Sequence, residues 1–200
     1  MKKVLLFAVV LLTTSMMIFA GGGKEKSGDG TVGPGVLAAG EWMVYSDQAS
    51  DGGSSTVTYK TTEETIDGEK VTVFTISGNV TTKFEYGFAG WGLNADDATV
   101  ELYKKAKAVS FWVLGDGKAY SVKFKISSVT DYAYHEYVFE TEPGKAVNIV
   151  VPIGYFMQPS WTGSPKKMNT ALVTGVEWQT NESWRKDPNR NPFEIKFWGF

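Results

Sequence analysis

The chain has 200 residues, 42% of them hydrophobic and 14% aromatic, with 22 Gly and no Cys. That length holds one ordinary domain and a leader, and hardly two domains. The formal charge of −2, with Lys104-Lys105 and Lys166-Lys167 as isolated basic pairs, argues against a nucleic-acid partner, which needs a concentrated positive surface. The lack of Cys rules out disulfides and a lipoprotein thioether anchor, so the core alone must hold the domain.

Residues 1–20 read as a secretory signal. Lys2 and Lys3 form a charged start, residues 4–12 are an unbroken apolar run, and Ala20-Gly21 offers a small-residue cleavage point. No membrane span is expected after cleavage, and the protein is expected outside the cytoplasm, in the periplasm or beyond. Removing the leader takes away both lysines and leaves 18 Lys+Arg against 22 Asp+Glu. Residues 21–40 are rich in Gly and small polar groups and read as a flexible linker. The domain itself is expected over 41–200.

From residue 41 the texture changes to short β-rich runs between turn residues. Strands are predicted at 42–45, 55–60, 70–77, 109–114, 119–127, 134–140, 146–151, 172–179 and 193–198. The clearest is 119–127, where Tyr120, Val122, Phe124 and Ile126 alternate with Ser121, Lys123, Lys125 and Ser127. The Gly115-Asp116-Gly117-Lys118 stretch before it predicts a hairpin joining 109–114 to 119–127. Turns are predicted at Asp67-Gly68 and Glu142-Pro143-Gly144, with longer loops at 158–169 and 180–192. Only 96–107 has helical character, enough for one turn or two. Nine or ten short strands at this spacing predict an all-β protein, an antiparallel β-sandwich or jelly roll.

Several of these segments form a familiar series: Trp42, Asp47, Gly52-Gly53-Ser54-Ser55, Gly87-Phe88-Ala89-Gly90-Trp91, VSFWVLGDGKAYSVKFKI, YHEYVFETEPGKAVNIVVPIGYF and a closing FEIKFWGF. The series resembles the galactose-binding-like β-sandwiches of the complex I intermediate-associated family and the related family 11 carbohydrate-binding modules. The resemblance covers nearly all of 41–200. It departs at two points: Asp47 lies five residues before Gly52 where four is usual, and Ala146 replaces the Trp expected after the Pro-Gly turn. The resemblance implies a binding or assembly role.

No catalytic constellation stands out. His135 is the only histidine, and Glu136, Glu140, Glu177 and Glu182 do not declare themselves as an acid–base pair. The expectation is a non-enzymatic domain that binds carbohydrate, with a protein-interaction or envelope-assembly module as the alternative. A sugar ring stacks its C–H face on Trp or Tyr while its hydroxyls need polar neighbours, and this selects Trp91, Tyr132, Tyr134, His135, Trp161, Trp178 and Gln179 as candidate ligand-binding residues. Trp112 and Trp198, inside strands, read as scaffold. No cofactor is expected to be required. A structural calcium is the metal that the loop chemistry allows, with Asp47 and Asp51 as its carboxylates.

Overall fold

The computed structural model describes residues 40–49, 52–181 and 191–200. The predicted signal, the linker apart from Gly40, and the side chains of Asp51, Glu182 and Trp184 lie outside the described residues. Among the described residues the chain is a β-sandwich of ten strands: β1 (Gly40–Ser46), β2 (Thr56–Ile66), β3 (Glu69–Asn79), β4 (Phe88–Ala95), β5 (Ala108–Leu114), β6 (Ala119–Ile126), β7 (His135–Glu140), β8 (Ala146–Pro152), β9 (Val173–Asn181) and β10 (Phe193–Trp198). One α-helix among the described residues, α1 (Asp97–Lys105), sits between β4 and β5. No helix among the described residues is long and apolar enough to cross a membrane.

The strands form two five-stranded sheets, ordered β1-β4-β9-β6-β7 and β2-β3-β10-β5-β8, with antiparallel neighbours throughout. Period-2 alternation decides what each face shows. On β5 the residues alternate between exposed and buried, so Val109, Phe111 and Val113 enter the core while Ser110 and Trp112 face out. The core between the sheets is aromatic. Trp178 lies parallel to Trp91 (5°, centroids 6.4 Å apart) within the first sheet and meets Phe111 edge-on (89°, 5.7 Å) and Phe197 (5.0 Å) from the second. Such pairs add about 0.5–1.5 kcal/mol each beyond the area they bury.

Two turns show how local chemistry sets the topology. Asp67 and Gly68 both hold positive φ (52° and 87°), the requirement of a type I′ turn, and they close the β2–β3 hairpin as predicted. The second turn overturns an expectation. β5 and β6 lie in different sheets, so Gly115-Asp116-Gly117-Lys118 carries the chain across the sandwich and closes no hairpin. The reason is a set of tertiary bonds that a local turn would not make. Asp116 Oδ1 accepts from the Tyr120 hydroxyl at 2.9 Å, and its Oδ2 accepts from Lys118 Nζ at 2.8 Å and Glu194 N at 3.1 Å. Thr141 Oγ1 takes the Gly117 and Lys118 amides, both at 3.1 Å, and a Cβ on Gly115 would come within 2.1 Å of that threonine.

α1 runs nine residues, longer than the two turns expected, because Asp96 caps it: its Oδ1 accepts from Thr99 N at 2.8 Å. Strand β4 was absent from the predicted set. Gly90 and Gly92 break its alternation, and they are also what makes it the centre of the candidate site.

Candidate functional site

The outer face of the first sheet gathers a contiguous set of half-buried and buried polar side chains. Register places them in rows. One row runs Tyr45, Gly90, Gln179, Ser121 and Val138 across β1, β4, β9, β6 and β7. The next runs Met43, Gly92, Glu177, Lys123 and Glu136. Beyond it lie Asn94, Gly175 and Lys125, with Tyr134 one residue before β7.

The glycines let side chains cross the sheet surface. A Cβ on Gly90 would lie 2.3 Å from the Tyr45 ring, and one on Gly92 would lie 2.8 Å from Glu177 Cβ. The Tyr45 ring therefore lies over β4, and its hydroxyl reaches the Trp178 carbonyl on β9 at 3.4 Å. Lys123 Nζ donates to Gln179 Oε1 at 2.9 Å and pairs with Glu136 Oε2 at 3.4 Å. Lys125 Nζ lies 3.4 Å from Asn94 Oδ1. Between these, Ser121 Oγ is buried and makes no hydrogen bond among the described residues.

The electrostatics centre on Glu177. Burial pushes its carboxyl above the usual range, and Lys123, Lys125 and the Tyr45 hydroxyl oppose that shift without cancelling it. Burial likewise raises the phenol of Tyr45 well above its ordinary value, with the Glu177 charge adding to it. Tyr134 is raised for the same two reasons in the same order.

The candidate residues chosen from sequence divide sharply. Trp91 and Trp178 are each 1% exposed and belong to the core, because alternation sends Trp178 inward and Gln179 outward. They offer no ring to an outside ligand. His135 is also buried and faces inward with Phe124. Its Nε2 lies 2.8 Å from the Lys166 carbonyl, so it fastens the loop over residues 158–169 to the start of β7. Gln158 pins the same loop from its other end, donating to the Ala133 carbonyl at 2.8 Å and accepting from Lys166 N at 2.7 Å. Trp161, 63% exposed, projects from this fastened loop. Tyr132, 77% exposed and at φ 62°, meets Tyr134 edge-on at 6.4 Å. Tyr134 and Gln179 are thus the two candidates that the structure brings to the polar face.

Asp47, the described member of the expected calcium pair, sits among protein donors. Its buried carboxylate accepts from Ser55 N at 2.7 Å, Ser55 Oγ at 2.6 Å and Phe88 N at 3.3 Å, which ties the end of β1 to the starts of β2 and β4. No group of three or more metal-binding side chains occurs among the described residues. Trp112 also differs from its scaffold assignment. It is 40% exposed and lies parallel to Trp198 (7°, 6.2 Å) on the outer face of the second sheet. Sequence reasoning missed Tyr45 and Lys123, and weighed Glu136 and Glu177 only as acid–base carboxylates. The available signal was parity: Lys123 and Lys125 on the wet face of β6, and Glu177 and Gln179 at matching positions on β9.

Fold and face together define an antiparallel two-sheet β-sandwich with a polar, glycine-centred outer face. The chain belongs to the family of Complex I intermediate-associated protein 30 (CIA30), whose profile matches residues 36–196. The family resemblance drawn from the sequence is borne out. Among solved structures, one titled "Structural analysis of an exo-beta-agarase" is similar with a TM-score of 0.46 at 7% identity, over 78% of this chain. The chain spans 23% of that structure's length. No curated protein matches the sequence.

Proposed function

We propose that the protein is an exported, non-catalytic carbohydrate-binding domain whose site is the outer face of the first sheet. The observation that carries this reading is the convergence of Glu177, Gln179, Lys123 and Glu136 from three adjacent strands, with Tyr45 on β1 in the neighbouring row and Tyr134 one residue before β7. Sugar hydroxyls both donate and accept, and this face supplies two carboxylates, an ammonium and an amide for them. The rings offer flat apolar area for the C–H side of a pyranose. An open sheet face buries little ligand, so dissociation constants on the order of micromolar to millimolar are expected.

Titration calorimetry with cellohexaose, laminarihexaose and xylohexaose checks the reading. Gln179→Ala and Tyr134→Ala should each weaken the binding of an accepted sugar by about 1–3 kcal/mol, at an unchanged melting temperature. If none of the three sugars binds the wild type, the carbohydrate reading fails. The second reading, a protein-assembly module, draws on the family's name and on the second sheet's outer face, where Trp112 and Val150 stand exposed (40% and 61%). Under it, Trp112→Asp should abolish capture of envelope partners while the polar-face variants retain it.

A further inference from the structure

Glu177 is the half-buried carboxylate of the polar face that makes no ion pair among the described residues. The cations beside it are committed elsewhere: Lys123 to Gln179 and Glu136, Lys125 to Asn94. The other titratable groups around it are Tyr45 from β1, Glu136 from β7 and Tyr134 from the segment before β7. The Tyr45 hydroxyl hydrogen-bonds to Glu177, but two phenols and a second carboxylate supply no positive charge. On the β4 side no side chain covers it, because Gly92 stands opposite and a Cβ there would come within 2.8 Å of the Glu177 Cβ.

A ligand seated here removes much of the water that still solvates this carboxylate. Desolvation disfavours the charged form of an acid, and the nearest ammonium is held by other partners. The protonated carboxyl, in contrast, gains a role under a ligand, because its O–H can donate to a ring or hydroxyl oxygen.

From this arrangement we propose that ligand binding on the first sheet's outer face is coupled to proton uptake at Glu177, so that acidity strengthens binding. The proposal rests on the carbohydrate reading and adds its regulation. By linkage, a group that gains a proton on binding makes affinity fall as pH rises. Across the range where Glu177 is ionised in the free protein and protonated in the complex, the loss approaches about tenfold per pH unit for one proton. The effect fades below the free protein's value, where Glu177 is already neutral.

The test is calorimetric titration of the whole protein with whichever of cellohexaose, laminarihexaose and xylohexaose binds most tightly, between pH 5 and pH 8. Each pH is run in two buffers of different ionisation enthalpy. The expected result is a heat that depends on the buffer, in the direction of proton uptake, and a Kd that rises with pH. Glu177→Gln imitates the protonated form and should bind with a flat pH profile and no buffer dependence. Glu136→Gln keeps Glu177 and should retain the slope. Binding that is independent of pH and buffer in the wild type overturns the coupling and leaves the carbohydrate reading intact, as does a slope that survives in Glu177→Gln. Absence of any sugar binding at every pH overturns both.

Discussion

Asp47 and Glu177 are both carboxylates held by the first sheet, and their surroundings give them opposite roles. The Asp47 carboxylate is surrounded by three donors and serves as a structural clamp. Asp47→Ala leaves the Ser55 and Phe88 amides without their acceptor, and a buried charged hydrogen bond lost in this way costs about 2–4 kcal/mol. Chemical denaturation should show that loss with no change in the denaturant slope; a smaller effect than Gln48→Ala on the exposed neighbour refutes the clamp. Glu177 has no such cage: the Tyr45 hydroxyl, Lys123 and Lys125 favour its charged form, yet burial raises its folded-state carboxyl above the unfolded value. A raised acid binds more protons folded than unfolded. Its stabilising contribution is therefore full below the ordinary carboxyl range, near pH 4.3, and lost as pH rises through the folded value. Glu177→Gln should accordingly raise the melting temperature at pH 8 and leave it nearly unchanged at pH 4, read by scanning calorimetry in both buffers.

At the scale of elements, β4 carries the most consequence for its length. Gly90 opens the surface over which Tyr45 lies, and an alanine there would meet the ring at 2.3 Å. Gly90→Ala should destabilise by about 1–3 kcal/mol through overpacking, and should also weaken sugar binding by displacing the ring. Paired melting and titration measurements check both effects, and an unchanged melting temperature sinks the packing argument. The same two glycines explain why β4 was not legible in the sequence while β6 was. Tyr120, Val122, Phe124 and Ile126 alternate openly with polar residues, whereas Gly90 and Gly92 occupy the polar parity of β4 and show no side chain there. The Asp116-Gly117 stretch misled for the converse reason. Its residue types suit a tight turn, but Asp116 is bound by Tyr120, Lys118 and Glu194, and Glu194 stands 78 positions away. Local chemistry could not reveal that partner. The polar face was half legible: Gln179 and Tyr134 were selected, while Lys123 counted only as part of an alternation and Glu177 only as half of an acid–base pair that did not declare itself, until register set them side by side.

Across the whole molecule, the tryptophans divide between holding the sheets together and facing solvent. Trp178 touches Trp42 and Trp91 from its own sheet and Phe111, Phe197 and Phe200 from the other side, so it couples the two layers. It also stands between Glu177 and Gln179 on β9, and its carbonyl receives the Tyr45 hydroxyl. Removing its ring empties the centre of the sandwich beneath the polar face. Trp178→Ala should cost about 3–5 kcal/mol and, in a chain of this size, lower the melting temperature by roughly 10 °C. Sugar affinity should fall too, because the strand carrying two site residues loses its support. Trp112→Ala removes a ring from the opposite outer face, where it stacks on Trp198, and should cost about 1 kcal/mol with affinity unchanged. Scanning calorimetry and sugar titration on both variants separate the two cases. A Trp178 variant that melts with the wild type would show that the core does not depend on the ring joining the sheets. A Trp112 variant that loses sugar would move the binding face to the second sheet, where Trp112 and Asn148 stand paired across β5 and β8.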